Sequence, residues 1–185
     1  MLISKFNVSD VESSISKFEA EYTVSFPDTY REFLLKYNGG YTPKTKVSIN
    51  RASSDLRALF GYAEAYQNYN ILSVFSSSDI INYTKSGLIP IGANVFGDYF
   101  LIRINGDDYG AVYFRYHDKN IADIFIADSF KTFVSKCKSE MVGHIRTIEE
   151  RKADLIANGL DIWSSLSRKA CGELERQSLS VKAQK

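Results

Sequence analysis

The 185-residue chain reads as an α+β protein. Three observations predict this class. Two segments with apolar residues at helical spacing open the sequence, a β-rich centre follows, and one further helical segment closes it. That order differs from the strict strand–helix alternation of a nucleotide-binding fold. The sequence shows no internal repeat.

Taken in order, Ser9 or Asp10 is placed to cap a first helix, with Val11, Ile15 and Phe18 on one face. The second helix lies in FPDTYREFLLKYNGG, residues 26–40. Pro27 suits a first helical turn, and Asp28 complements the positive end of the macrodipole. Tyr30, Phe33, Leu34 and Tyr37 recur at the spacing of one apolar stripe, and Arg31, Glu32 and Lys36 fall off it. Asn38, Gly39 and Gly40 accept the left-handed backbone that closes a helix. A phosphate loop puts its glycines before a helix, and no GK[ST] follows here, so this Gly-Gly pair reads as a stop.

TKVSIN at 45–50 and LRALFGY at 56–62 read as short strands. Residues 64–87 read as two short helical pieces, punctuated at Asn70, Ser76–Ser78 and Gly87. LIPIGAN begins a strand near Leu88, broken by Pro90 and Gly92. DYFLIRIN at 98–105 and GAVYFRYHD at 110–118 are strands joined by the turn chemistry of Gly106, Asp107 and Asp108. IADIFIADS supplies the last strand, and Ser129 or Asp128 caps a helix with Phe130, Phe133, Val134 and Cys137 on its buried stripe.

The tail differs. From about residue 143, Ile145, Ile148, Leu155, Ile162, Trp163 and Leu166 keep roughly helical spacing around an interruption at 158–160. The division expected is a domain over 1–142 and a C-terminal helical extension over 143–185. The extension packs on its own domain or makes a homodimer or partner contact.

Composition excludes several function classes. A formal net charge of +1 gives no global pull toward nucleic acid or anionic lipid. Lys44, Lys46, Arg51 and Arg57, opposed by Asp55, read as an exposed edge strand and loop. Cys137 and Cys171 form no disulfide framework and fit reduced thiols. The N-terminus turns polar too early for a signal peptide, and no apolar run approaches the roughly 20 residues of a membrane span. The expectation is a soluble, cytoplasmic protein.

No motif for catalysis emerges. His117 stands beside Asp118, but neighbours in a strand point to opposite faces, so the two are not read as a dyad. His144 lies in the tail. HExxH, CxxC and GxSxG are missing, so no metal, cofactor or catalytic residue is assigned. Cys137 on a core-facing stripe reads as inert. Asp98, Asp107, Asp108, Asp118 and Asp123 cluster in the β centre, where turn propensity accounts for aspartate.

A surface argument remains. Tyr62, Tyr66, Tyr69, Tyr83, Tyr99 and Tyr109 lie in or beside loops, and tyrosine is enriched at interfaces. The alternative is that these rings are half-buried core. Interleaved acids would suit a basic partner. The candidate partner-binding residues are therefore Glu64, Tyr66, Tyr69, Asp98, Tyr99, Asp107, Asp108 and Tyr109.

Four segments together resemble the SUKH superfamily. They are FPDTYREFLLKYNGG, LIPIGANVFGDYFLIRI, GAVYFRYHD and IADSFKTFV, in the superfamily's order and covering about residues 9–138. Phe26 departs from the usual small aliphatic before proline, and the tail extends past the superfamily core. The resemblance implies helices around a curved, mixed, mainly antiparallel sheet. It also implies no enzymatic activity. Its members include bacterial immunity proteins that bind and block a polymorphic toxin, often a nuclease, and Smi/Knr-type regulatory scaffolds. The expected partner is thus a cognate toxin domain, with no direct contact to nucleic acid or membrane.

Overall fold

Asn38 alone stops the second helix, and the glycines after it do different work. The computed structural model in which this is seen describes residues 1–50 and 52–140. The C-terminal extension over 143–185, on which a helical stripe and a homodimer contact are expected, lies outside the described residues, as do Arg51, His144 and Cys171. Residues Met1–Glu140 make up one unit.

Helix α1, Val11–Tyr22, buries Val11, Ile15 and Phe18, and helix α2, Asp28–Tyr37, buries Tyr30, Phe33 and Leu34. Both stripes are as the spacing predicts; the ends are not. Asp10 stands at the start of α1 in left-handed backbone, φ 56°, and makes no side-chain cap. Ser9 donates instead to Asn7 Oδ1 at 2.9 Å. Pro27 precedes α2 rather than entering its first turn. Asn38 ends α2 with φ 50° and its N–H on Leu34 O. A Cβ on Gly39 would lie 2.5 Å from Leu59 O, and one on Gly40 would collide with Ser4 O. The pair therefore lets a new strand enter between two others.

That strand is β2, Gly40–Ile49. It pairs on one edge with β3, Ala52–Leu59, and on the other with β1, Ser4–Lys5, and β8, Cys137–Ser139. The sheet continues from β3 through β4, Leu88–Ala93, β5, Tyr99–Arg103, β6, Val112–Arg115, and β7, Ile124–Ala127. Every ladder between these strands is antiparallel, and among the described residues the parallel component is a single bridge between Gly61 and Asn70. β4 is not broken at Pro90; it absorbs Ile91 as an irregularity and continues. β3 begins and ends earlier than the predicted 56–62.

Residues 64–87 give a 3-10 turn, Gln67–Tyr69, and two short helices, α3, Ile71–Val74, and α4, Ser77–Lys85. Asn70 caps α3, and Ser76 with Asp79 forms a reciprocal capping box on α4. Helix α5, Phe130–Lys136, is capped by Ser129, whose Oγ accepts from Thr132 N at 3.2 Å. The helix ends one residue before Cys137, which belongs to β8. Burial pushes its thiol up to about 12, which leaves it inert.

Side-chain alternation sorts the sheet into two faces. Phe100 packs on Phe114 at 5.2 Å and on Phe133 of α5 at 5.6 Å. Its neighbour Tyr99 faces the opposite side, 5.3 Å from Phe75, and Arg115 lies 5.5 Å from the ring of Tyr83 on α4. Helices thus cover both faces, which is why β4 is buried along its whole length. At the β7 edge, the bulged Ile126 offers its carbonyl to the Lys136 ammonium, which blunts that edge against pairing. No helix of the described residues is long and apolar enough to cross a membrane.

Candidate functional site

The turn between β4 and β5 is held by a network of side-chain hydrogen bonds, and it displays apolar side chains. Asn94 is buried and uses its whole amide. Its Oδ1 accepts from Phe96 N and from Asp98 N, both at 2.9 Å. Its Nδ2 donates to Asp98 Oδ2 at 2.9 Å and to Ser54 Oγ at 3.1 Å. Val95 N donates to Asp55 Oδ2 at 3.0 Å, which ties the turn to β3. Gly97 supplies the left-handed residue, φ 91°. The result is a fixed turn with Val95 53% and Phe96 73% exposed. Apolar groups presented so openly on a rigid loop mark a contact surface.

His117 closes the turn from the β6 side. Its backbone N–H donates to Asp98 Oδ1 at 3.0 Å, and its ring Nδ1 lies 2.8 Å from the same oxygen. With an ionised carboxylate as acceptor, Nδ1 carries the proton. Burial alone would raise the Asp98 carboxyl. Hydrogen bonds from the His117 side chain and backbone and from Asn94 outweigh it and hold the group below its usual range. The strand ends at Arg115, so His117 and Asp118 occupy a bend and alternation no longer separates them. That corrects the sequence reading. Asp98, His117 and Asp118 each bring a ligand atom to within 4.8 Å of the others. Asp98 Oδ1 is already engaged by the His117 ring nitrogen and backbone N–H.

Beside Phe96 a cavity of about 400 Å³ opens between the tip of the β2–β3 hairpin and the ends of β6 and β7. Ile49, Phe114 and Ile124 give it apolar walls, and Ser54, Asp55, Asn94 and Asp98 are among its polar lining residues. Tyr116 completes the wall, with the Lys119 ammonium 3.9 Å from its ring centre.

The residues chosen from sequence occupy three places. Glu64 is exposed and accepts from Asn7 Nδ2 at 2.6 Å. Tyr66, exposed, and Tyr69, half-buried, cluster with Tyr41 at ring distances of 6.1 and 5.1 Å. Asp107, Asp108 and Tyr109 form the β5–β6 turn, at the far end of β5 from Asp98 and Tyr99. Asp107 and Tyr109 are exposed. Asp108 accepts from the Tyr113 hydroxyl and from Arg103 Nε, so its work is internal. Asp98 is 5% exposed and Tyr99 is half-buried between Phe60 and Phe75, so neither offers the surface the sequence reading gave it. Tyr62 is fully buried. Sequence reasoning missed Asp55, Val95, Phe96 and the pairing of His117 with Asp98. The signal for Phe96 was available: an apolar pair set between Asn94 and Gly97, inside turn chemistry, has no core to enter.

The family model described as SMI1 / KNR4 family (SUKH-1) matches residues 12–136, from α1 to the end of α5. The chain belongs to the SMI1/KNR4 (SUKH-1) family. The match spans all four sequence segments, and the α+β architecture agrees with it. SUKH proteins are generally non-enzymatic, and the family includes the immunity-protein type. No curated protein and no solved structure gives a match.

Proposed function

We propose that this SUKH protein is a cytoplasmic immunity protein. It binds a cognate polymorphic toxin domain, a nuclease being the expected class, and neutralises it by covering the toxin's active site. Family membership supports the class. The observation that carries the reading is the display of Phe96 on a turn held by hydrogen bonds of the Asn94 and Asp98 side chains. An aromatic anchor on a preordered loop is what a hot spot requires, because little entropy is lost on docking. Around it a stable complex would bury about 1,200–2,000 Å² in total. The Glu64–Tyr66–Tyr69 cluster and the Asp107–Tyr109 turn are separate surfaces that a large toxin domain would reach only in part.

Co-expression with a toxin-like gene encoded beside this one tests the proposal. Rescue of growth and co-purification of the two chains are expected. Phe96→Ala should spare the melting temperature and weaken the complex by about 2 kcal/mol or more. Asp107→Lys tests the hairpin turn in the same assay without disturbing Arg103. Unchanged toxicity and no co-purification would refute the immunity reading for that pair. A regulatory scaffold of the Smi/Knr type is the second reading, compatible with the same family match. It predicts stable complexes with host proteins and no effect on any toxin.

A further inference from the structure

We infer that Asn105 is a site of spontaneous deamidation in the folded chain, through attack of the Gly106 backbone nitrogen on the Asn105 carboxamide.

The sequence contains three Asn–Gly pairs, Asn38–Gly39, Asn105–Gly106 and Asn158–Gly159. The last lies outside the described residues. Asparagine is a thermolabile side chain. Its weak point is a following residue whose backbone nitrogen can reach the carboxamide carbon, and glycine, with no Cβ, obstructs that approach least. In a folded chain the outcome depends on what holds the two groups.

At Asn38 both are held. The residue is fully buried. Its Nδ2 donates to the carbonyls of Asn7 and Tyr62, and its Oδ1 accepts from Tyr62 N at 2.8 Å. The carboxamide cannot turn toward Gly39 without leaving buried polar groups unpaired. Gly39 is itself wedged against the backbone of Leu59 and Phe60.

At Asn105 neither is held. Asn105 and Gly106 are exposed, in the turn between β5 and β6. The carboxamide rests against the Cα of Gly87, where a Cβ would collide with it, and no hydrogen bond fixes it among the described residues. Gly106 N has no acceptor among the described residues either. Gly110 N on Arg103 O at 2.9 Å closes the turn, and within it Tyr109 N reaches Gly106 O only at 3.3 Å. Space around Gly106 is open: the nearest atom to a new Cβ is Asp108 Oδ1 at 3.5 Å.

The step balances with water alone. Gly106 N loses its proton to solvent and bonds to Asn105 Cγ; the Cγ–Nδ2 bond breaks and ammonia leaves. Water then opens the cyclic imide at either carbonyl and leaves aspartate or isoaspartate at position 105. Both products add a negative charge beside Asp107 and Asp108, and isoaspartate also adds a carbon to the backbone of the turn. The candidate surface over Asp107–Tyr109 therefore changes its charge as the chain ages.

The test incubates the full chain in mildly alkaline buffer, folded and in guanidinium chloride. Tryptic peptides 37–44 and 104–115 are followed by mass spectrometry, and isoaspartate by enzymatic methylation. In denaturant the two sites should convert at similar rates. In the folded chain Asn105 should stay within about tenfold of its rate in denaturant, because a turn opens at little cost. Asn38 should react only from the unfolded fraction, and so slow by about a thousandfold or more. Asn105→Gln, whose longer side chain closes the ring far more slowly, should leave peptide 104–115 unconverted and the melting temperature unchanged. Protection of Asn105 as deep as that of Asn38 would overturn the inference, as would undiminished conversion of peptide 104–115 in Asn105→Gln. No toxin enters the experiment, so its result is independent of the immunity reading.

Discussion

Replacing Gly39 with alanine separates the two reasons for a glycine at one position. Gly39 has φ 75°, so any L side chain pays for left-handed backbone, about 1–2 kcal/mol. It also has no room: the new Cβ would lie 2.5 Å from Leu59 O, 2.6 Å from Phe60 O and 2.7 Å from Phe60 C. Those are backbone atoms held from the far side, because Phe60 N donates to Ile91 O at 2.8 Å. They cannot swing aside as a lysine would, and forcing atoms into packed structure costs a further 1–3 kcal/mol or about that. The expected loss is about 2–5 kcal/mol, a large share of a total stability near 5–15 kcal/mol. Gly97 is the control. Its φ is 91°, and the nearest atom to a new Cβ is His117 Nδ1 at 4.0 Å. Gly97→Ala should therefore show only the backbone part, about 1–2 kcal/mol. Urea melts with unchanged m-values give both numbers. If Gly39→Ala costs no more than Gly97→Ala, the close approach of α2's end to β3 is not a structural requirement.

Three further outcomes are expected. Phe33 packs between Tyr37 at 5.3 Å and Phe130 at 4.9 Å, so Phe33→Ala should lose about 3–5 kcal/mol in the same melts; a loss below about 1 kcal/mol would remove it from the core. The Tyr30 and Tyr62 hydroxyls are buried and make no hydrogen bond of normal geometry among the described residues, so replacing both tyrosines with phenylalanine should leave stability within about 1 kcal/mol or raise it; calorimetry showing a clear fall in Tm would mean that the hydroxyls are bonded. Asp98 has a folded-state value below its unfolded one, about 3.9, so the stability it contributes is full above that pH and is lost as pH falls through the folded value. Asp98→Asn should flatten the acid limb of stability below about pH 4, and parallel curves for variant and wild type would dismiss the linkage.

What was legible in the sequence followed from local period. The stripes of α1 and α2 recur every three or four residues, and β6 alternates, because each buries one face against a neighbour. β1 and β8 carry no such mark. Ser4 and Lys5 are both exposed, and their strand exists only because β2 presents a free edge to them. The candidate site failed to show itself for a similar reason. Asp98 and His117 are distant in sequence and meet through the β5–β6 register, in which Tyr99 faces Arg115. A reading that fixed the hairpin's register would have set position 98 opposite 116 and brought the two groups together. The tyrosine–acid argument used composition without register, and so it joined residues from opposite ends of one strand.

The polar chemistry of this domain is spent inside it, and that bears on how a binding module works. Asp98 serves His117 and Asn94, Asp108 serves Arg103 and Tyr113, and Asp123 holds Arg115 through two bonds of 2.7 Å. Each of these contacts ties together the segments that carry its partners. Loops ordered in advance lose little freedom when a partner docks, so the contact energy of the side chains they present goes into affinity. In the β4–β5 turn the division of labour is sharp. Asn94, Gly97 and Asp98 set the backbone, while Val95 and Phe96 touch little of the protein that carries them. Substitution at those two positions leaves the hydrogen bonds of the turn intact, because the bonds use only their backbone N–H groups. A scaffold arranged this way can change its partner by changing its tip, without reopening the question of how it folds.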